Sequence, residues 1–146
     1  MSLLLATVLL LGACADTPPA ATPAGAPTAA AGAPAAAPAA VRTLDVAGLK
    51  AGLDAGTVPL LVDVRTPAEY AGGHVPGARN VPLDELEGRI AELGSGESEV
   101  YVICQSGGRS ARASATLAQR GLRPVNIAGG TGAWSAAGYA TESAAP

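Results

Sequence analysis

The chain has 146 residues, with 9 Lys or Arg against 12 Asp or Glu and a formal net charge of −3. That mild acidity, without any basic run, argues against a nucleic-acid partner. Aromatic residues make up 3% of the chain and Phe is absent, so a core must be assembled from Val, Leu, Ile and Ala.

Leu3 to Leu11 is an apolar run softened only by Thr7. It is well short of the ~20 residues that a membrane-spanning helix needs and fits the hydrophobic part of a secretory signal. Leu11-Gly12-Ala13-Cys14 then resembles a bacterial lipobox. The resemblance implies a lipoprotein-type signal peptide over residues 1–13, cleavage before Cys14 and lipidation of its sulfur. Several acyl chains on one cysteine give stable anchoring where a single chain is marginal. Met1 to Leu5 departs from such signals in carrying no Lys or Arg. An ordinary cleaved signal with an incidental cysteine is the alternative. The expectation is an exported chain, lipid-anchored to a bacterial membrane and facing the periplasm or the cell exterior.

Residues 14–40 read as an Ala/Pro-rich linker. Prolines every few residues prevent a continuous alanine helix. Disorder with a bias to extended polyproline-like backbone is expected, giving a semi-rigid spacer. As a tether it would lift the following domain off a membrane; as drifted low-complexity sequence it would do nothing, and both predict the same disorder.

Residues 41–146 read as one domain of alternating strands and helices, a common single-domain size. Asp45 can cap a helix whose Val46, Leu49 and Leu53 share a face. Leu60 to Val64 reads as a buried strand. Thr66-Pro67-Ala68-Glu69 is a capping box with Pro at the first helical position, which explains Glu69 without catalysis. Ala78 to Val81 is a short strand, and Leu83, Leu86, Ile90 and Leu93 mark an amphipathic helix. Val100 to Ile103 is the central apolar strand. The next helix ends at Arg120-Gly121. Val125 to Ile127 is the last strand, and a short helix carries Trp134 into the core. Continuous apolar strands alternating with helices imply an α/β fold, a parallel sheet flanked by helices on both faces. No internal repeat is visible.

Cys104-Gln105-Ser106-Gly107-Gly108-Arg109 is the most informative stretch. Cys104 stands at the carboxyl end of the central strand, where open α/β sheets place their chemistry. Gly107 and Gly108 let the backbone curl and aim its N–H groups inward. Arg109 and the coming helix N-terminus add positive potential. Each feature favours thiolate over thiol, and the thiolate is the nucleophile. A small buried core cysteine is the bland alternative. The other cysteine, Cys14, lies in a processing segment, so a disulfide between the two is not expected.

Three ordered stretches carry a family resemblance. Asp63-Val64-Arg65-Thr66-Pro67-Ala68-Glu69-Tyr70, Gly73-His74-Val75-Pro76-Gly77-Ala78-Arg79-Asn80-Val81-Pro82 and Cys104 to Ser110 resemble the signatures of the rhodanese sulfurtransferases, with a weaker match at Gly129-Gly130-Thr131-Gly132-Ala133-Trp134. The resemblance runs from about Val41 to Tyr139 and implies a single rhodanese-like module. It implies Cys104 as catalytic nucleophile and a substrate cradle of Gln105, Ser106, Gly107, Gly108, Arg109 and Ser110. Arg109 would organise the loop and face an anion. Asp63 and Arg65 would support the site, and His74 would be structural. Gln105 is a departure, because many rhodaneses carry a basic residue there; Arg112, one turn beyond Arg109, either compensates or is merely solvated.

The implied chemistry moves a sulfur atom from a small anionic donor such as thiosulfate, through a persulfide on Cys104, to cyanide or a thiol. It needs no metal and no organic cofactor. Two alternatives stay open: a non-enzymatic persulfide carrier or binding module, and a cysteine phosphatase or arsenate reductase of related fold. Those phosphatases carry a loop one residue longer between Cys and Arg, so the short loop here favours sulfur.

Overall fold

The computed structural model describes residues 40–96 and 98–143. The signal, linker and Cys14 expectations lie outside the described residues. The described chain builds a five-stranded sheet in which every strand pair is parallel. Its strands are β1 (Arg42–Leu44), β2 (Leu61–Asp63), β3 (Arg79–Asn80), β4 (Glu99–Ile103) and β5 (Arg123–Ile127), in the spatial order β1-β5-β4-β2-β3. Its helices are α1 (Val46–Asp54), α2 (Pro67–Ala71), α3 (Gly108–Gln119) and α4 (Gly130–Ala136).

Strand alternation feeds two cores. Val62, Val64, Val100, Val102 and Cys104 face Ala113 and Leu117 of α3 on one side. Leu61, Tyr101, Ile103, Val125 and Ile127 face Leu49 of α1 and Trp134 of α4 on the other. The central strand β4 is therefore buried on both faces, which is why it reads as an unbroken apolar run. The described residues thus form the expected parallel sheet with helices on both faces.

Local signals act as read. Asp45 caps α1 by accepting from Gly48 N–H at 2.7 Å. Thr66 and Glu69 close a reciprocal capping box on α2. α3 stops at Arg120, with Gly121 following at φ +85°.

Two expectations need correction. Strand β1, absent from the sequence reading, pairs with β5 through Arg42↔Val125, Thr43↔Asn126 and Leu44↔Ile127. Three residues at a sheet edge, two of them exposed, leave no periodic trace. The segment Leu86–Leu93, expected as an α-helix, is a 3₁₀ helix. Gly88 is a poor α-former, and the tighter winding rises ~2.0 Å per residue against ~1.5 Å. The segment is thereby stretched along the sheet and still buries Leu86 and Leu93. Smaller shifts occur at β5, which begins two residues earlier than expected and includes Pro124. Arg123 N–H turns towards β4 and donates to Ser98 O, so Pro124 faces the other side, ahead of the first β1 pairing at Val125. Its missing N–H costs no ladder bond there.

Candidate active site

β2 and β4 lie side by side, and their carboxyl ends open into the turns that carry Arg65 and Cys104. Cys104 leaves β4 fully buried. Three residues later Gly107 takes φ +101°, a conformation open to glycine, and α3 begins. This turn brings Gly107 N–H to 3.1 Å from Cys104 Sγ. Ser110, one turn into α3, places its hydroxyl 3.5 Å from the same sulfur. Burial pushes the thiol up; the Ser110 hydroxyl and the backbone N–H groups of Ser110, Ser106 and Gly107 pull it down, and the net direction is below the ordinary value. Backbone N–H groups of Ser106, Gly107 and Ser110 thus surround the sulfur, whereas Gly108, expected to turn its N–H inward beside Gly107, makes no such contact among the described residues. Gln105, Ser106 and Gly108 form the loop's exposed outer surface.

The loop's carbonyls are held from behind. Thr131 donates to Cys104 O from its N–H at 2.8 Å and its hydroxyl at 3.1 Å, and Gly132 N–H reaches Gln105 O at 2.9 Å. Gly130 permits that approach. It has φ +58°, and a Cβ there would lie 2.2 Å from Cys104 O. The Gly-Gly stretch after β5 is therefore a scaffold for the loop, a role that only the fold reveals.

Asp63 and Arg65 form a buried pair. Arg65 Nε lies 3.0 and 2.9 Å from the two Asp63 carboxylate oxygens, and Nη2 donates to Oδ2 at 2.7 Å. Nη2 also donates to Gly73 O at 2.8 Å, and Nη1 contacts Gln105 Oε1 at 3.4 Å. The pair thereby ties β2 to the α2 turn and to the loop. Asn80 closes the arrangement by donating to Asp63 O and Arg65 O, each at 2.9 Å.

Arg109 is engaged by Glu69. Its two terminal nitrogens donate to the two carboxylate oxygens at 2.8 and 2.6 Å. This fork, aided by Thr66, holds the Glu69 carboxyl down from 4.5 to about 2. Glu69 thus joins the start of α2 to the start of α3, a pairing across 40 residues of sequence that helix capping alone does not foretell. Arg112 is exposed and makes no ion pair among the described residues. His74 is buried, stacks on Tyr70 with ring centroids 3.7 Å apart, and donates from Nδ1 to Tyr70 O at 3.0 Å.

Asn126 of β5 is a further site neighbour that the sequence did not flag. Its Oδ1 lies 2.7 Å from the Ser110 hydroxyl, which also reaches Gly107 O at 3.0 Å. A hydroxyl carries one proton, so Asn126 Oδ1, Gly107 O and the Cys104 sulfur compete for it.

Next to the loop is a cleft of about 340 Å³ between α2 and α4, bordered by Arg65, Gln105, Ser135 and Thr141. Among the described residues there is no cluster of side chains suited to hold a metal ion.

A family model for the rhodanese-like domain matches residues 45–137. The chain belongs to the rhodanese-like domain family. It is 38% identical over 96 residues to a protein of Allochromatium vinosum named sulfurtransferase, covering 65% of this chain and 89% of that one. It is 44% identical over 75 residues to the uncharacterized protein YqhL of Bacillus subtilis, covering 51% of this chain. The chain spans only 59% of YqhL's length. Among solved structures, a rhodanese-like domain protein from Staphylococcus aureus superposes with a TM-score of 0.65 at 30% identity, covering 72% of this chain and all of that one. A parallel sheet with flanking helices is thus common to this chain and its structural relatives.

Proposed function

We propose that the chain is a sulfurtransferase that carries sulfane sulfur on Cys104. The observation that carries this reading is the curl of Cys104 to Gly107, which turns Gly107 N–H onto Sγ at 3.1 Å. Such a turn stabilises a thiolate and, after reaction, the terminal sulfur of a persulfide. Family membership and a relative named sulfurtransferase support the same chemistry.

The donor we infer is thiosulfate or a similar small sulfur anion. The Cys104 thiolate attacks its outer sulfur, the sulfur–sulfur bond of the donor breaks, and sulfite leaves with the electron pair. In the second half-reaction cyanide or a thiolate attacks the outer sulfur of the persulfide, and Cys104 leaves as thiolate. The reacting species is the thiolate, which the surrounding donors favour over the thiol, so no general base is assigned and His74 is given a structural role. Ser106, Gly107 and Ser110 supply the donors around the transferring sulfur. Arg109 holds the loop through Glu69, and Asp63 with Arg65 supports it from below.

The lipobox-like Cys14 supports a tethered location outside the cytoplasm, with residues 14–40 as spacer. Labelling cells with a fatty-acid analogue tests this: wild type incorporates label, Cys14→Ser does not, and unlabelled wild type overturns it.

Intact-mass measurement after incubation with thiosulfate tests the reaction. A gain of one sulfur atom, removed by cyanide and absent from Cys104→Ser, is expected. Faster turnover of an aryl phosphate than of thiosulfate would replace this reading with the phosphatase one.

A further inference from the structure

The cleft beside the loop has an unusual balance of hydrogen-bonding groups. Its glycine backbone amides are already engaged: Gly72 N–H donates to Ala68 O, Gly73 N–H to Tyr70 O and Gly132 N–H to Gln105 O. Among the described residues Glu69 is the one carboxylate on its wall, and both of its oxygens accept from Arg109. The uncharged polar side chains left facing the cleft can all donate. The exposed Ser135 and Thr141 offer hydroxyls, and Gln105 offers its amide. Arg65 lines the same wall although it is only 3% exposed. Its Nε and Nη2 are taken by Asp63 and Gly73, whereas among the described residues Nη1 has only the long 3.4 Å contact to Gln105 Oε1. A buried guanidinium edge with a weakly held N–H, at the back of a donor-rich cleft, suits an oxyanion.

Resting on the sulfurtransferase reading above, we propose that this cleft is the acceptor subsite. It takes a thiol that carries a carboxylate a few bonds from its sulfur. The carboxylate accepts from Arg65 Nη1 and from the Ser135 or Thr141 hydroxyl, and Gln105 rotates its carbonyl away. Gln105, Thr131 and Gly132 line the cleft, and Thr131 and Gly132 donate to the carbonyls of Cys104 and Gln105, so the cleft adjoins the loop and the thiol end is assigned to that side. The sulfonate of a donor is the other oxyanion source. It must lie one bond from the transferring sulfur, inside the loop, and a cleft of about 340 Å³ is far larger than it needs. In the transfer step the acceptor thiolate forms a bond to the persulfide's outer sulfur. The Cys104 Sγ–S bond breaks, its electron pair returns to Sγ, and a small-molecule persulfide leaves.

The test separates the two half-reactions. Persulfide-loaded protein, freed of thiosulfate, is mixed with 3-mercaptopropionate or with 2-mercaptoethanol at matched thiolate concentration, and persulfide loss is followed by rapid mixing. The carboxylated thiol half-saturates at about tenfold lower concentration than the neutral one, the size of one charge-assisted hydrogen bond. Ser135→Glu, an exposed rim change, abolishes that preference by repulsion, and the uncharged Ser135→Gln keeps most of it. Equal half-saturation for both thiols overturns the acceptor subsite and leaves the sulfurtransferase reading intact. Ser135→Glu slowing thiosulfate loading while leaving the thiol preference unchanged assigns the cleft to the donor and also overturns it. Failure to load any persulfide overturns the sulfurtransferase reading, and the subsite with it.

Discussion

Arg109 and Glu69 meet as a two-toothed fork, with N–O distances of 2.8 and 2.6 Å, and thereby lock the start of α3 to the start of α2. The Glu69 carboxyl titrates at about 2 in the folded chain, against 4.5 ordinarily. A depressed carboxyl contributes stability in full above its unfolded pKa and loses it as pH falls through the folded one. Both side chains are about one-third exposed, so solvent screening limits the worth of the pair to about 1 kcal/mol. Glu69→Gln should therefore lower urea stability at neutral pH, with the gap to wild type narrowing below pH 4.5 and closing near pH 2. A gap independent of pH would mean that the charge is not its source.

The thiol of Cys104 should titrate below a free thiol, because the donors around it outweigh its burial. Ser110→Ala removes one of those donors and should raise the midpoint of alkylation rate against pH. Asn126→Asp should raise it too: a carboxylate accepts only, draws the Ser110 proton away from the sulfur, and adds negative charge nearby. The other charges around the loop, Arg109 with Glu69 and Arg65 with Asp63, are unchanged in both variants. An unmoved midpoint in Ser110→Ala would assign the whole effect to backbone N–H groups.

Legibility in the sequence followed contact distance along the chain. Asp45, Thr66 and Gly121 act on backbone within a few residues, and their caps and stop stand in the structure as read. The strands β2 and β4 announced themselves because both faces are buried. Asp63 with Arg65 was visible as a family motif, and a charged residue closing a buried strand demands a partner. The props of the loop were not visible. Thr131 reaches Cys104 O from 27 residues away, Asn126 reaches Ser110 from 16, and Arg109 reaches Glu69 from 40. No local pattern encodes such pairings; the parallel sheet, which brings successive carboxyl ends together, creates them. β1 has no local signature because its pairing with β5 is more remote still, with Arg42 opposite Val125.

Breaking the buried ion pair should be costly. Asp63 is fully buried and Arg65 nearly so, with three side-chain contacts between them within 3.0 Å. Asp63→Ala leaves a guanidinium without its counter-charge and should cost about 3–5 kcal/mol in chemical denaturation. A loss below about 1 kcal/mol would show that water reaches Arg65 and that its burial is not maintained.

Gly130→Ala should disturb the loop more than the fold. Its φ of +58° lies in the left-handed region, which costs a side chain about 1–2 kcal/mol. The added Cβ would stand 2.2 Å from Cys104 O and 2.7 Å from the Gln105 carbonyl carbon, so one of the two loops must yield. The expected result is a large fall in sulfur transfer with a cooperative unfolding transition retained. Full activity would mean that Thr131 and Gly132 are dispensable as props.

The family match over residues 45–137 leaves out two segments that the fold uses. Before it, β1 covers the free edge of β5, and Leu44 O accepts from Ala128 N–H at 2.8 Å. After it, Ala140 O accepts the indole N–H of the buried Trp134 at 2.8 Å, and Tyr139 packs edge-on against that ring at 4.9 Å. Glu142 then exchanges backbone hydrogen bonds with His74 at 2.8 and 2.9 Å. Removing residues 1–40 touches none of these contacts and should leave a stable, active domain. A fragment of residues 45–137 should expose the β5 edge, orphan the Trp134 N–H and uncover its ring. Each orphaned buried donor costs about 1–3 kcal/mol and the lost apolar contact adds to it. The shorter fragment should therefore melt at least about 10 °C below the 41–146 fragment, at about 4–8 °C per kcal/mol for a domain of this size. Equal melting temperatures would show that the edge strand and the closing segment contribute nothing to the core they cover.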